Sequence, residues 1–269
     1  MHSIGNVFDE SKAYPMSVIL GLESSNVVRL VDNASVRVTS SRQPVRVRPS
    51  EKSRLVFLTD PTGLAVEQYK ILRRRLINLH PNGGAVLITS PSPGEGKTLT
   101  SINLAWSLAV AGHRTCLVDL DFRAPGVAPT LGCPVEEDGI EDVLTGRRTI
   151  PQSIRQLEDC PLYVLGVRKR MITPGDLLSS SSLTPLLADL RTMFQWIILD
   201  FAPIIPMADV PEVVANVDGA LMVIRSGKTD KSMITPGVAA LGSKLWGVVL
   251  NDSPISGSSY YGNYGNHRD

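Results

Sequence analysis

Residues 90–100, SPSPGEGKTLT, decide the fold of this chain. They follow a short apolar and β-branched run, AVLIT at 85–89, which is typical of a buried strand. They lead into residues 99–111, whose small and apolar side chains recur at helical spacing, and Gly112 is placed to end that helix. A strand, a glycine-rich turn and a helix in this order are the setting of a phosphate-binding loop. The stretch therefore predicts that a nucleoside triphosphate binds here.

The residue types within the loop match this chemistry. Backbone N–H groups of the turn and of the helix N-terminus converge where partial positive charge favours an anion, and Gly94 and Gly96 permit a close approach. Lys97 can reach the β- and γ-phosphates, and the Thr98 hydroxyl is placed for Mg²⁺. The usual pattern G-x-x-x-x-G-K-[ST] begins with glycine, where this chain has Pro91. A chance match in a surface loop is the alternative, which the flanking strand and helix disfavour.

Composition narrows the class of protein. The chain has 269 residues, enough for one large domain with tails or for two small domains, and its net charge of +1 indicates neither a nucleic-acid nor a membrane surface. Cys116, Cys133 and Cys160 form no C-x-x-C pair and are expected to be free thiols. No apolar run approaches the ~18 residues of a membrane helix, and no signal peptide is visible. We therefore expect a cytoplasmic protein with no nucleic-acid partner.

Acidic residues end two further predicted strands. Residues 115–119 predict a second parallel strand that ends in Asp119, with Asp121 two residues later. Residues 196–200, WIILD, predict a third buried strand that ends in Asp200, as in a Walker B strand whose Asp holds Mg²⁺ through water. Ligands bind at the carboxyl ends of strands in open α/β sheets. The alternatives are an Asx-rich turn for the first pair and a helix cap for Asp200.

The remaining pattern predicts an α/β fold. Strands and helices alternate to the end of the chain, which indicates a mostly parallel sheet with helices on both faces. Asp60 or Thr62 is expected to cap the first long helix, and a short strand is expected within residues 27–38. The further predicted helices cover residues 64–79, 139–144, 176–194, 209–216 and 231–241, and the further strands cover residues 162–165, 220–224 and 246–250.

Two terminal segments flank the domain expected at residues 55–252. Residues 1–54 show no sustained period and are interpreted as a poorly ordered basic segment, with a basic arm for anionic lipid or an acidic partner as the alternative. Residues 253–269 are rich in Gly, Ser and Asn and are expected to be disordered. Three of the six tyrosines nevertheless lie within the last ten residues: Tyr260, Tyr261 and Tyr264. Composition drift explains this poorly, because such tails are depleted in tyrosine.

Several motifs in order resemble one family across residues 55–251. They read EQYKILR, TSPSPGEGKT, NLA, LVDLDFRAP, GIEDVLTG, PGDLL, IILD, DGALMVIRSG and GVVLN, followed by the tyrosine-bearing tail. The chain resembles the bacterial tyrosine kinases of capsule and exopolysaccharide assembly, P-loop proteins related to the partition ATPases. The resemblance implies an ATP- and Mg²⁺-dependent protein-tyrosine autokinase that regulates polysaccharide synthesis and export.

The resemblance also implies roles for single residues. Lys97, Asp119, Asp121 and Asp200 would be catalytic, with Asp119 the better candidate to orient or deprotonate the tyrosine hydroxyl. Thr98, Asp121 and Asp200 would hold the metal, and Asn251 would lie near the adenine. The loop residues that would bind the nucleotide are Pro93, Gly94, Glu95, Gly96, Lys97, Thr98 and Leu99.

Partners are implied in the same way. Tyr260, Tyr261 and Tyr264 would be phosphorylated in trans within a ring-like homo-oligomer. Glu67, Lys70 and Arg73 match the self-association pattern, although Lys70 stands where arginine is usual. A separate transmembrane polysaccharide co-polymerase would activate the kinase and recruit it to the inner face of the plasma membrane.

Two other functions stay open from the sequence. A partition-type ATPase switch would dimerise on ATP without phosphorylating protein, but such switches carry a second lysine early in the loop, where this chain has Ser92. A nucleotide-binding scaffold in polysaccharide export is the third possibility. After Asp200 the family usually has a small polar residue and two prolines, whereas this chain has Phe201, Ala202 and Pro203. This departure leaves the scaffold function open.

Overall fold

A single twisted sheet organises the part of the chain that the computed structural model describes, residues 18–20, 40–41, 43–50, 53–205 and 207–253. Its eight strands lie in the order β1-β8-β7-β2-β6-β3-β5-β4. The six inner strands pair in parallel, whereas the edge strands β1 and β4 pair antiparallel with their neighbours. This confirms the expected mostly parallel α/β fold. The strands are β1 Val18–Leu20, β2 Gly84–Thr89, β3 Thr115–Asp119, β4 Arg155–Gln156, β5 Leu162–Leu165, β6 Trp196–Asp200, β7 Gly219–Arg225 and β8 Leu245–Asn251.

Both faces of the sheet are covered, which explains why its strands are apolar throughout. Side chains alternate along a strand, so Leu87 packs into the hydrophobic core on one face and Val86 and Ile88 into the core on the other. The longest helix has 16 residues, and within the described ranges none combines the length and apolar character that a membrane crossing demands. The helices are α1 Val56–Thr59, α2 Leu64–Leu79, α3 Lys97–Val110, α4 Val127–Leu131, α5 Ile140–Leu144, α6 Ile150–Ser153, α7 Ser180–Met193, α8 Val210–Asn216 and α9 Lys231–Leu241, with a 3₁₀ turn at Gly242–Lys244.

Some local expectations differ from the structure. Helix α2 has the predicted bounds, but its N-cap is Gly63 and no side chain caps it, so the expected cap by Asp60 or Thr62 is wrong. Helix α7 begins at Ser180 rather than at residue 176 and continues through Pro185. The short elements β1, α1, α4, β4 and α6 were not predicted, because two to five residues show no period. The strand expected within residues 27–38 lies outside the described residues.

Part of the basic N-terminal stretch is packed onto the domain. Val45 N donates to Gln156 O at 2.8 Å, Arg48 N donates to Leu131 O at 2.9 Å, and Val47 is buried. Residues 45–48 therefore bond to β4 and to the end of α4, in contrast to the poorly ordered segment expected there. The reason is visible in the sequence VRVR at 45–48, a period of two that is too short to predict a strand by itself.

Candidate active site

The phosphate-binding loop connects β2 to α3 and needs its glycines. Gly94 and Gly96 have φ of 80° and 91°, in the left-handed region that side chains disfavour. A Cβ on Gly96 would also overlap the Asn251 amide at the end of β8, whereas one on Gly94 would meet nothing within 4 Å. Asn251 Nδ2 donates to Glu95 O at 2.9 Å, which ties the loop to that strand end.

Strand register gathers the predicted acidic residues at the loop. Asp119 and Asp200 are paired positions in β3 and β6, and Asp200 also pairs with Ile88 near the end of β2. Asp121 follows β3 by two residues, and all three carboxylates are at most 2% exposed. The structure thus brings the three acids and the loop to one edge of the sheet.

Lys97 and Thr98 contact these carboxylates directly. Lys97 Nζ lies 2.7 Å from Asp121 Oδ2 and 3.9 Å from Asp200 Oδ1. Thr98 Oγ1 donates to Asp200 Oδ2 at 2.7 Å. Ser101 Oγ donates to Asp200 Oδ1 at 3.0 Å, a contact that sequence reasoning missed. Its signal was available, since Ser101 follows Lys97 by one helical turn and shares its face.

Asp119 shapes the loop that follows β3. Its Oδ1 accepts a hydrogen bond from Asp121 N at 3.0 Å, and its Oδ2 accepts from Gly126 N and Val127 N, both at 3.1 Å. Asp121 Oδ1 in turn accepts from Ala124 N at 2.9 Å. Both Asp119 oxygens are therefore engaged with backbone, and Oδ1, which accepts a single bond, keeps a lone pair that can accept from an approaching hydroxyl.

Burial and neighbouring charge set the protonation of the cluster. Burial raises the pKa of Asp119 to about 8, and the charge of Asp200 adds to this rise, while backbone hydrogen bonds and Lys97 oppose it. Burial likewise raises the pKa of Asp200, against the opposing effects of Lys97, Thr98 and Ser101. Burial alone would lower the pKa of Lys97, but Asp200 and Asp121 outweigh it and raise that pKa. Lys97 is therefore charged at neutral pH, whereas Asp119 readily holds a proton.

The donor set fits Mg²⁺ bound together with phosphate. Magnesium keeps several waters and takes only one or two carboxylates beside substrate phosphates. The Thr98 hydroxyl and the Asp200 and Asp121 carboxylates supply oxygen ligands of this kind. Within the described residues no group of three or more His, Cys, Asp or Glu side chains is arranged to hold a metal by itself.

Three other residues of the loop, Pro93, Glu95 and Leu99, differ in their exposure and in their contacts. Pro93 is exposed at the loop tip, and Leu99 is half-buried on the first turn of α3. Glu95 is buried, and its Oε2 accepts from Arg225 N at 2.6 Å and from the Thr229 hydroxyl. The Glu95 side chain thus ties the loop to the end of β7, which the sequence did not reveal.

The residues expected in self-association occupy two different environments. Lys70 Nζ lies 2.7 Å from Glu67 Oε1 on the exposed side of α2. Arg73 Nη1 instead donates to Ser107 O at 2.8 Å and braces α2 against α3. Tyr260, Tyr261 and Tyr264 lie outside the described residues.

Comparison with known proteins assigns the family. The model of the CobQ/CobB/MinD/ParA nucleotide binding domain matches residues 86–256. Tyrosine-protein kinase YwqD of Bacillus subtilis (strain 168) is 33% identical over 217 residues, which are 78% of this chain and 91% of YwqD. The chain belongs to the bacterial tyrosine kinases. This confirms the resemblance that its motifs indicate.

Two further proteins are similar to this bacterial tyrosine kinase. The crystal structure of the chimerical protein CapA2B2 has a TM-score of 0.70 and 27% identity, with 75% of this chain and 90% of that chain covered. The succinoglycan biosynthesis transport protein ExoP of Rhizobium meliloti (strain 1021) is 28% identical over 185 residues, 66% of this chain and 23% of ExoP. The same kinase-like region thus recurs within a much longer polysaccharide transport protein.

Proposed function

We propose that this chain is an ATP-dependent protein-tyrosine kinase that phosphorylates the tyrosines of its own C-terminal tail, each chain presenting its tail to a neighbour. The observation that carries the proposal is the convergence of the loop with Lys97, Asp121, Thr98 and Asp200 at contacts of 2.7 Å. Membership of the bacterial tyrosine kinases supports this reading over a partition-type switch or a scaffold.

Phosphate binding exchanges one anionic partner of Lys97 for another. In the structure its ammonium group pairs with Asp121 at the mouth of the loop, where the lysine side chain keeps 12% of its surface exposed. The β- and γ-phosphates would take the place of that carboxylate, with loop N–H groups and the α3 N-terminus completing the cradle. The Asp121 carboxylate is then released to bind a cation.

Metal binding would use the oxygens at the ends of β3 and β6. Thr98, Asp121 and Asp200 would hold Mg²⁺, and Ser101 keeps the Asp200 carboxylate oriented toward the loop. Bound there, magnesium would neutralise the charge that develops on the transferred phosphoryl group.

Asp119 is the group proposed to take the proton. A phenol is a weak nucleophile at neutral pH because its pKa is near 10. The Asp119 carboxyl, whose pKa is raised to about 8, is a stronger base than an ordinary aspartate, but it accepts a proton only in its ionised form. A cation bound at Asp121 and Asp200 would lower this pKa and so favour the ionised form in the nucleotide complex. As the phenol oxygen bonds to the γ-phosphorus, the bond from phosphorus to the ADP oxygen breaks and the phenolic proton moves to the carboxylate.

The tail leaves the domain at the edge that carries the site. Tyr260 is seven residue steps beyond Ser253, a length of chain that can span roughly 25 Å when extended. Four strand spacings separate β8 from β3, roughly 19 Å at the usual distance between strands. Length alone therefore permits transfer within one chain as well as between chains, and the experiment has to separate the two.

A mixing experiment tests the proposal. Lys97→Met keeps the tail but lacks the phosphate-binding ammonium group, and the triple Tyr→Phe variant at residues 260, 261 and 264 keeps the site but lacks acceptors. Each is incubated with Mg·ATP and the cytosolic segment of a candidate activator, alone and mixed, and intact mass is recorded. We expect phosphate on the Lys97→Met tail only in the mixture. ATP hydrolysis with an unmodified wild-type tail would instead support the switch.

The cellular setting is part of the same proposal. The name of ExoP places a similar region in succinoglycan transport, and we propose that this kinase regulates capsule or exopolysaccharide synthesis and export. A transmembrane co-polymerase would activate it and recruit it to the inner face of the plasma membrane. The exposed Glu67 and Lys70 are available for contacts within a ring-like oligomer. Added phosphate charge on several tails would loosen such a ring by repulsion.

A further inference from the structure

Residues 45–48, here called the N-terminal strap, are bonded to the edge of the sheet. Val45 N donates to Gln156 O at 2.8 Å, and Val45 O accepts from Glu158 N at 3.0 Å, so the strap runs alongside β4. The side chain of Val47 is buried in the hydrophobic core that lies under α2 and α3. The strap is therefore attached both through its backbone and through the core.

The strap also caps the C-terminal end of α4. Arg48 N donates at 2.9 Å to Leu131 O, one of the carbonyls that a helix end leaves without a partner inside the helix. The next residue, Gly132, has φ of 65°, and a Cβ on it would overlap Arg48 O. The strap and the end of α4 are thus in direct backbone contact, and glycine is needed where they meet.

The opposite end of α4 contacts two residues of the active site. Gly126 N and Val127 N, at the start of the helix, both donate to Asp119 Oδ2 at 3.1 Å. A Cβ on Gly126 would lie 3.0 Å from the Thr98 methyl group, so the backbone also lies close to Thr98. Helix α4 has five residues and is about 7.5 Å long. A displacement of its end is therefore transmitted to Asp119 and Thr98.

We propose that the N-terminal strap is a positioning segment of the active site, which acts through α4 on Asp119 and Thr98. The strap holds the end of α4, and the start of α4 holds the carboxylate and lies against the threonine. A misplacement of about 1 Å in a catalytic site can lower the rate about a hundredfold. The inference deepens the proposed function, since it rests on the roles proposed there for these two residues.

The first test separates the strap from α4 at their point of contact. Gly132→Ala places a methyl group against Arg48 O, whereas Gly146→Ala is the matched control, because Gly146 has φ of 72° and its Cβ would meet nothing within 4 Å. For Gly132→Ala we expect the rate of tail phosphorylation at saturating Mg·ATP to fall at least about tenfold below that of the control. Affinity for metal-free ADP should match the control, because the phosphate-binding loop is untouched. Equal rates would overturn the proposal.

The second test acts from the strap and serves also if Gly132→Ala fails to fold. Arg48→Pro removes the N–H group that Leu131 O accepts, whereas Arg48→Ala removes the same side chain and keeps that N–H group. We expect the phosphorylation rate to fall in the proline variant and to stay near the wild-type rate in the alanine variant. Equal rates in these two variants would equally overturn the proposal.

Hydrogen exchange tests the coupling without any kinase activity. We expect the Gly126 and Val127 amides to exchange about fivefold faster in Gly132→Ala and Arg48→Pro than in their controls, the factor that one lost hydrogen bond gives. Amides of β2 and β6 should keep their rates. Unchanged exchange at α4, or an equal rise throughout the sheet, would overturn the proposal. Faster exchange confined to α4 in a chain that phosphorylates no tyrosine would support the coupling and refute only the kinase assignment.

Discussion

Two lysine–carboxylate pairs in this molecule have the same length and very different surroundings. Lys97 Nζ and Asp121 Oδ2 are 2.7 Å apart at the phosphate-binding loop, with side chains 12% and 2% exposed. Lys70 Nζ and Glu67 Oε1 are also 2.7 Å apart on the outer face of α2, with side chains 43% and 57% exposed. Water screens the outer pair, whereas the inner pair is enclosed with two more carboxylates. Burial, and not the distance between the two atoms, therefore decides how much each pair contributes to the free energy of unfolding.

The enclosed pair suits a site that exchanges partners. Removing one buried charge leaves the other charges without a partner, so the cluster is stable only while a cation faces its carboxylates. In the structure that cation is Lys97. In the proposed complex Mg²⁺ would also neutralise the carboxylates, while Lys97 would bind phosphate. The outer pair can separate at almost no cost and suits a surface that meets another subunit.

The largest expected effect comes from breaking each pair with the same substitution. Lys97→Met leaves buried carboxylates unpaired, and we expect it to lower the free energy of unfolding by about 3–5 kcal/mol. Lys70→Met is the matched control and should change it by less than about 1 kcal/mol. Urea unfolding without nucleotide or metal measures both. Equal losses would show that burial does not separate the two pairs.

The next effect is the dependence of stability on pH. Burial raises the pKa of Asp119 to about 8, above its unfolded value near 4. The folded state therefore binds more protons between these values, so stability falls as pH rises from about 4 to about 8. We expect metal-free protein to be more stable in urea at pH 5.5 than at pH 8. Asp200→Asn should flatten this fall for two reasons: it removes the raised pKa of Asp200 itself, and it removes the charge that raises the Asp119 pKa further.

His80 makes a second contribution to the pH dependence of stability, opposite in sign to that of Asp119. His80 stacks on Trp246, and burial lowers the pKa of its ring, which makes stability rise with pH in the acidic part of the range. The difference between wild type and Asp200→Asn cancels this contribution, since His80 is unchanged in both. Parallel pH profiles for the two proteins would contradict the raised pKa values assigned to Asp119 and Asp200.

The smallest expected effect concerns the loop that carries Lys97. Gly94→Ala and Gly96→Ala each force alanine into a left-handed backbone, which costs about 1–2 kcal/mol. Gly96→Ala should cost more, because its Cβ also displaces the Asn251 amide, whereas Gly94→Ala meets no neighbour. Unfolding in urea compares the two, and a Gly94→Ala loss as large as that of Gly96→Ala would rule out the Asn251 contact as the cause.

Local pattern was enough to predict the framework of the site. The strands are apolar on both faces because helices cover both, so they appear as continuous apolar runs with acids at their ends. The sequence GEGKT between a strand and a helix predicts the loop, and parallel strands place Asp119 and Asp200 at one edge. The five side chains of Lys97, Thr98, Asp119, Asp121 and Asp200 could therefore be named in advance as neighbours.

Contacts between distant segments could be known only from the folded chain. Ser101 completes the bonding of Asp200, Glu95 ties the loop to Arg225, and residues 45–48 bond to β4 and to the end of α4. One cavity beside the loop is lined both by Gln68 and Tyr69 of α2 and by Leu250 and Asn251 of β8, almost two hundred residues later in the chain. Periodicity records which face of an element is buried, but it carries no information on which other segment buries it, and that choice depends on packing across the whole domain.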